Sequence, residues 1–364
     1  MDGSPARSRL GAVLEQLGQL SRSDSTQAAM GFALGGVVFA LANLLLARYL
    51  STYDYAVFAL MLALKEFGLA LGPAGLELVI NRRRLAPNVR LATRIGITSA
   101  IAGLVITVIA HDLYDLGWLL AFLLFFLAVG GSLNHTAAAL FQSGKSFRDA
   151  LVMIQAHNVI LLAAIPLGLL LGGITLELVL VLATAGYLAM AAAGWRRAAV
   201  HLRGNTTVLP GAMLWREGLG GLGIAVFLTI MTQAERLIIP LVLSMQDLAV
   251  FGVLAAVVSA PFRMMQLGVT MTLLPKLRTA TGPKDVRRMI AAEIRHGFWI
   301  ALAFTGALLW LGPLIIRLFV GDKYEIGVTL FAAAIVVGYV RIWQGVAVAS
   351  VSAMGEKLDI FKLN

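Results

Sequence analysis

Three arginines, each with a glutamine three residues away, lie inside long apolar runs: Arg236 with Gln233, Arg263 with Gln266, and Arg341 with Gln344. A spacing of three puts both members of a pair on one face of a helix. A guanidinium keeps its charge at any physiological pH, and its planar fork of donors grips phosphate bidentately. Lys65 and Glu66 sit in another apolar run, Glu235 precedes Arg236, and Asn43 lies in the first run. An ionisable side chain in hydrocarbon costs about 2.5–3.5 kcal/mol on insertion scales, so each needs a partner, a water-filled cavity or a task. Adjacent helix residues point about 100° apart, so Glu235 and Arg236 cannot pair well with each other, and at least one is expected to face a partner helix or a water-filled cavity. The chemistry on offer is anion binding. Lys65, Arg236, Arg263 and Arg341 are expected to line one cleft, with Gln233, Glu235, Gln266, Gln344 and Asn43 beside them.

Other chemistries are poorly served. Cysteine is absent, which removes disulfides, thiolate nucleophiles and Cys-based metal sites. The five histidines are scattered without helical ligand spacing, so neither a metal nor a cofactor is expected. Asn134, His135, Gln155, His157 and Asn158 are weaker polar points, read as groups that bridge helices.

The elements that must position these residues follow from composition. Of the 364 residues, 59% are hydrophobic and only 13% charged, and the mean hydropathy is +0.87. A soluble domain carries about 25% charged residues. The charges gather between apolar runs of some 20 residues, the length that crosses about 30 Å of hydrocarbon. Soluble enzymes, nucleic-acid-binding domains and secreted disulfide scaffolds are excluded. About ten transmembrane helices are expected, at 28–48, 55–80, 91–110, 116–141, 149–172, 176–195, 218–243, 247–275, 297–320 and 326–354. Residues 1–27 read as an amphipathic cytoplasmic segment, because Leu10, Val13, Leu14, Leu17 and Leu20 recur at helical spacing.

Net charge is +10, with 29 Lys+Arg against 19 Asp+Glu, and its placement is informative. Basic residues crowd every second connection, for example Arg82, Arg83 and Arg84, or Arg196, Arg197 and Arg203. The intervening turns carry Asp54, Asp112, Asp115, Glu177, Asp247, Asp322 and Glu325. By the positive-inside rule both termini are expected in the cytoplasm.

A repeat is also visible. Residues 50–58 (LSTYDYAVF) and 243–251 (LSMQDLAVF) share L-S-x-x-D-x-A-V-F after the first and seventh apolar runs. The connections HDLYDLG and GDKYEIG match in the same register. This predicts two parallel-repeat lobes, related by an axis along the membrane normal. The N-lobe would be 28–195 with six helices, the cytoplasmic linker 196–217, and the C-lobe 218–364 with four, apparently incomplete.

With these residues in view, the chain resembles the polysaccharide flippases of the multidrug/oligosaccharidyl-lipid/polysaccharide exporter superfamily. The resemblance rests on residues 46–56 (LARYLSTYDYA) at the first turn, 233–239 (QAERLII) on the seventh run and 318–324 (LFVGDKY) before the tenth. It implies a non-enzymatic translocator in the bacterial cytoplasmic membrane, moving an undecaprenyl-diphosphate-linked oligosaccharide by alternating access for surface polysaccharide assembly. Expected partners are that lipid-linked oligosaccharide, membrane lipids, and the glycan polymerase and glycosyltransferases of the pathway, with no nucleic acid. The competing reading is a cation-coupled multidrug antiporter of the same superfamily. Surplus fixed positive charge on three helices counts against it. A membrane glycosyltransferase would need larger water-side loops than the short turns present.

Overall fold

The computed structural model describes residues 24–202, 210–263 and 282–354, with isolated positions between 265 and 277. The elements are α1 Asp24–Tyr49, α2 Thr52–Leu71, α3 Leu76–Arg83, α4 Val89–Tyr114, α5 Trp118–Ser143, α6 Phe147–Leu170 and α7 Leu176–His201. They continue with α8 Gly211–Val242, α9 Met245–Leu254, a π turn Ala255–Ser259, α10 Pro283–Val320 and α11 Val328–Met354. The π turn runs on helically to Arg263, and Met245–Arg263 counts as one span. Among the described residues eight helices are long and apolar enough to cross a membrane, or nine if the bent α2–α3 pair is one span. In α1 the apolar stretch Leu34–Tyr49 is shorter than that length. The protein is an all-α polytopic membrane protein. The expected amphipathic segment lies almost wholly outside the described residues, as does most of 264–281.

Cross-helix contacts fix which turns share an end. The Tyr114 hydroxyl donates to Leu237 O at 3.0 Å, and Gly252 of α9 lies against the Tyr55 ring of α2. Lys323 Nζ donates to Ala47 O at 3.0 Å. The turns holding Asp54, Asp115, Asp247 and Asp322 therefore meet at one end, the acidic end. At the other, basic end Arg83 meets Glu217 and Arg197 meets Asp149.

Two expectations need correction. The apolar run at 55–80 is not one helix, because Gly72-Pro73-Ala74-Gly75 bends α2 from α3 by 52°. Proline removes a backbone donor there, and Ala74 and Gly75 are left-handed, with φ of 53° and 75°. The bend exposes the Gly72 carbonyl, which accepts from Thr98 Oγ1 at 2.6 Å. A side chain at Gly75 would run into the Gly218 carbonyl of α8, so glycine is needed twice over. The helix bounds expected on either side of 196–217 also shift, the helix expected to end at 195 reaching His201 as α7 and the one expected from 218 starting at Gly211 as α8. Arg and Lys are good helix formers, so a helix runs on past the apolar stretch that first marks it.

Local caps account for the sharp starts at the acidic end. Ser51 Oγ accepts from Asp54 N at 3.0 Å. Ser244 Oγ accepts from Asp247 N at 3.2 Å, and Asp247 Oδ2 accepts from Ser244 N at 3.1 Å. The repeated S-x-x-D is thus the same helix-starting device at both places, a serine satisfying an otherwise unpaired N–H.

Candidate functional site

A cavity of about 360 Å³ lies between α1, α2, α5, α6 and α7 on one wall and α8, α9 and α11 on the other. Its volume falls in the range of small-molecule sites, about 300–1,000 Å³. Lys65, Arg236, Arg263, Arg341, Glu235, Gln233 and Asn43 all line it. Gln266 and Gln344 do not appear among the lining residues. They share a helix face with their arginines, but the cavity is narrower than a helix face: both members of the Arg236–Gln233 pair reach it, and only the arginine of the other two pairs does.

The charges arrive in different states. Lys65 is 2% exposed, and its ammonium meets Glu66 Oε1 at 2.7 Å. The same ammonium donates to the Tyr187 hydroxyl at 3.0 Å. Adjacent helix positions are poorly placed to pair, but the lysine stem is long enough to turn back. Glu235 turns to another helix, as expected, and meets Arg341 at 3.7 Å. Arg236 leans on Gln233, with Nη1 donating to Oε1 at 3.4 Å. Among the described residues no carboxylate lies within salt-bridge distance of Arg236 or Arg263. Four cations and two carboxylates share this cavity, leaving a surplus of two positive charges.

Local backbone helps aim these groups. The π turn inserts one residue into α9, with Ala260 N–H bonding Ala255 O. Such turns re-aim the side chains of the next helical turn. Ala255, Ala256, Ser259, Ala260 and Arg263 line the cavity in consequence. On α5 the small run Gly130-Gly131-Ser132 lets neighbours approach closely. Gly130 lies against Tyr187 and Gly131 against Lys65 and Leu69. That close fit seats the Lys65–Glu66–Tyr187 group at the cavity edge.

Several lining residues had been read as bridging groups, and they are both. Asn134 Nδ2 donates to Met153 O at 2.8 Å. Asn158 Nδ2 donates to Gly35 O at 3.1 Å and to Gln155 Oε1 at 2.6 Å. Asn134, His135, Gln155, His157 and Asn158 nonetheless all line the cavity. Tyr187 carried no signal in the sequence, because one tyrosine in an apolar helix reads as packing. It stacks on His157 with ring centroids 5.3 Å apart. Among the described residues no three His, Asp or Glu side chains are grouped as a metal site.

The acidic end above the cavity is closed. Lys323 Nζ donates to Ala47 O at 3.0 Å and also to Leu50 O. The Tyr324 hydroxyl donates to Ala47 O at 3.3 Å, and Arg48 Nη1 donates to Leu318 O at 3.1 Å. The Ala47 and Leu50 carbonyls close α1, where a helix leaves acceptors unsatisfied and its dipole favours a cation. Burial lowers the Lys323 pKa, with Asp54 opposing, and pushes Tyr324 up to about 12. Tyr55, Phe58, Leu248 and Ala249 are wholly buried beneath this latch. At the basic end Arg83 holds Glu217 through two hydrogen bonds of 3.2 and 2.6 Å, whereas Arg263, on the cavity wall, is exposed.

Compared with known protein families, with curated proteins and with solved structures, the chain shows no match.

Proposed function

We propose that the protein translocates a lipid-linked oligosaccharide, an undecaprenyl-diphosphate glycan, across the bacterial cytoplasmic membrane by alternating access. The observation that carries this reading is the surplus of two positive charges between the halves of the protein, on Arg236 and Arg263. A diphosphate esterified at both ends carries two negative charges and only accepts hydrogen bonds, which matches two guanidiniums that have no carboxylate among the described residues. An arginine cannot shed its proton to escape the cost of hydrocarbon, so it needs an anion or water. The closed acidic end above an exposed Arg263 fits a state loaded from the basic side, which the positive-inside rule assigns to the cytoplasm.

Both cavity carboxylates, Glu66 and Glu235, are engaged by cations. A drug antiporter needs carboxylates free to exchange a cation for its cargo, so this arrangement supports the anionic substrate. The test is complementation of glycan export in a deletion strain. The Arg236→Gln/Arg263→Gln/Arg341→Gln variant, present at normal membrane levels, should lose export by more than about tenfold, since each charged hydrogen bond contributes about 1.5–3 kcal/mol. Arg→Lys variants should recover part of it, lacking only the bidentate fork. Full export by the triple Gln variant would return these arginines to a packing role.

A further inference from the structure

The two walls of the cavity differ in charge. The wall from α8, α9 and α11 brings Arg236, Arg263 and Arg341, which only donate. On the opposite wall the one cation, Lys65, is neutralised by Glu66, and the remaining polar groups are amides, imidazoles and a phenol. Two of those amides are incompletely satisfied. Asn134 and Asn158 are 4% and 5% exposed, and the Oδ1 of each is buried without a hydrogen-bond partner among the described residues. Their orientation is settled by their nitrogens, since only the NH₂ group can donate to the Met153 and Gly35 carbonyls. Each oxygen is therefore an acceptor waiting for a donor, and an unmade bond at a buried acceptor costs roughly 1–3 kcal/mol.

A phosphate cannot supply that donor, because it only accepts. A sugar hydroxyl can, because it both donates and accepts. On the same wall Tyr187, 4% exposed, stacks on His157 at an interplanar angle of 19° with the Lys65 ammonium 5.2 Å from its ring centroid, so these rings hold the edge of the site in place. We infer that the α1–α2–α5–α6–α7 wall is a saccharide subsite, in which Asn134 and Asn158 accept from hydroxyls of the first sugar while the opposite arginines hold the diphosphate. The inference rests on the reading of the arginines given above. Asn134 and Asn158 both line the cavity, and half-buried Gln155, which accepts from Asn158 Nδ2 at 2.6 Å, is the side chain that must give way for a sugar to reach the Asn158 oxygen. The substrate then spans the seam between the halves, with phosphate on one and sugar on the other.

The experiment uses the full chain in lipid nanodiscs and two probes of equal charge, the methyl ester of undecaprenyl diphosphate as the plain diphosphate and undecaprenyl diphosphate bearing one N-acetylglucosamine. The wild type should bind the sugar-bearing probe about tenfold more tightly, the worth of two net hydrogen bonds. Asn134→Leu/Asn158→Leu should erase that advantage and leave the affinity for the plain diphosphate within about twofold. The single variant Asn158→Leu, which disturbs less, should lose about threefold of the advantage. An unchanged advantage in the variants, or equal binding of both probes by the wild type, overturns the subsite and leaves the arginine reading standing. Parallel loss of both probes in the variants overturns it too, making the asparagines structural ties. A wild type that binds neither probe defeats the arginine reading itself.

Discussion

The two halves of this protein handle the same problem, polar groups in an apolar medium, in opposite ways. In α1–α7 the polar side chains are tied down: Lys65 to Glu66 and Tyr187, Asn134 to Met153 O, Ser99 to Ser132, and Asn158 to Gly35 O. In α8–α11 the arginines facing the cavity are looser, Arg236 holding a glutamine at 3.4 Å and Arg341 a carboxylate at 3.7 Å. Packing varies from helix to helix within each half, the α9 span being 56% buried and α4 22%. Of the most apolar stretch of α5, 56% is buried, against 6% for α8. Charge that is paired within the fold serves as scaffold, whereas charge without a carboxylate partner is tolerable only where a ligand or water meets it.

The comparison is broken most directly in the packing. Leu124→Ala on α5, at a fully buried position, should cost about 2–4 kcal/mol through the cavity left behind. Leu241→Ala on α8, where the side chain is exposed, should shift thermal unfolding little. Equal shifts would mean that the halves are equally consolidated.

Next in size is the ion pair. Lys65→Met leaves Glu66 without its ammonium and should destabilise by about 2 kcal/mol, less than for a fully buried pair because Glu66 is partly exposed. The double variant Lys65→Met/Glu66→Gln should recover most of that loss. Arg263→Gln, with no carboxylate to strand, should leave the unfolding temperature unchanged. A destabilised Arg263→Gln would place that arginine among the structural ties.

The latch at the acidic end sharpens the comparison by asking whether the halves separate. Lys323→Met removes the donor to the Ala47 and Leu50 carbonyls. A single cysteine at Gly252, beside Tyr55 beneath the latch, should then react several-fold faster with a membrane-impermeant maleimide. The absence of native cysteine makes that labelling unambiguous. Unchanged reactivity would mean that the latch does not hold the end closed.

The smallest effect expected is at the repeated caps. Ser51→Ala and Ser244→Ala each remove one side-chain acceptor from a helix start and should each cost about 1 kcal/mol in thermal unfolding. A marked inequality would show that the shared S-x-x-D serves different purposes in the two places.

The sequence by itself determined the class of the protein and most of its elements. Apolar runs of membrane length, separated by turns of alternating charge, leave the helix as the form in which each segment can satisfy its own backbone. It also marked the ionisable residues worth attention, because a charge in hydrocarbon is conspicuous against its surroundings. It did not reveal the break at Gly72–Gly75, since a proline in an apolar run is compatible with either a kinked or a broken helix until Thr98 and Gly218 are seen to meet the exposed backbone. Nor could it separate Gln233, which lines the cavity, from Gln266 and Gln344, which do not appear in its lining. Helical spacing gives a direction around an axis but not what lies in that direction. Tyr187, Asn134 and Asn158 became site residues only once α5, α6 and α7 had packed. Their partners are 19 to 123 residues away in the chain, and no local pattern records a contact made at that distance.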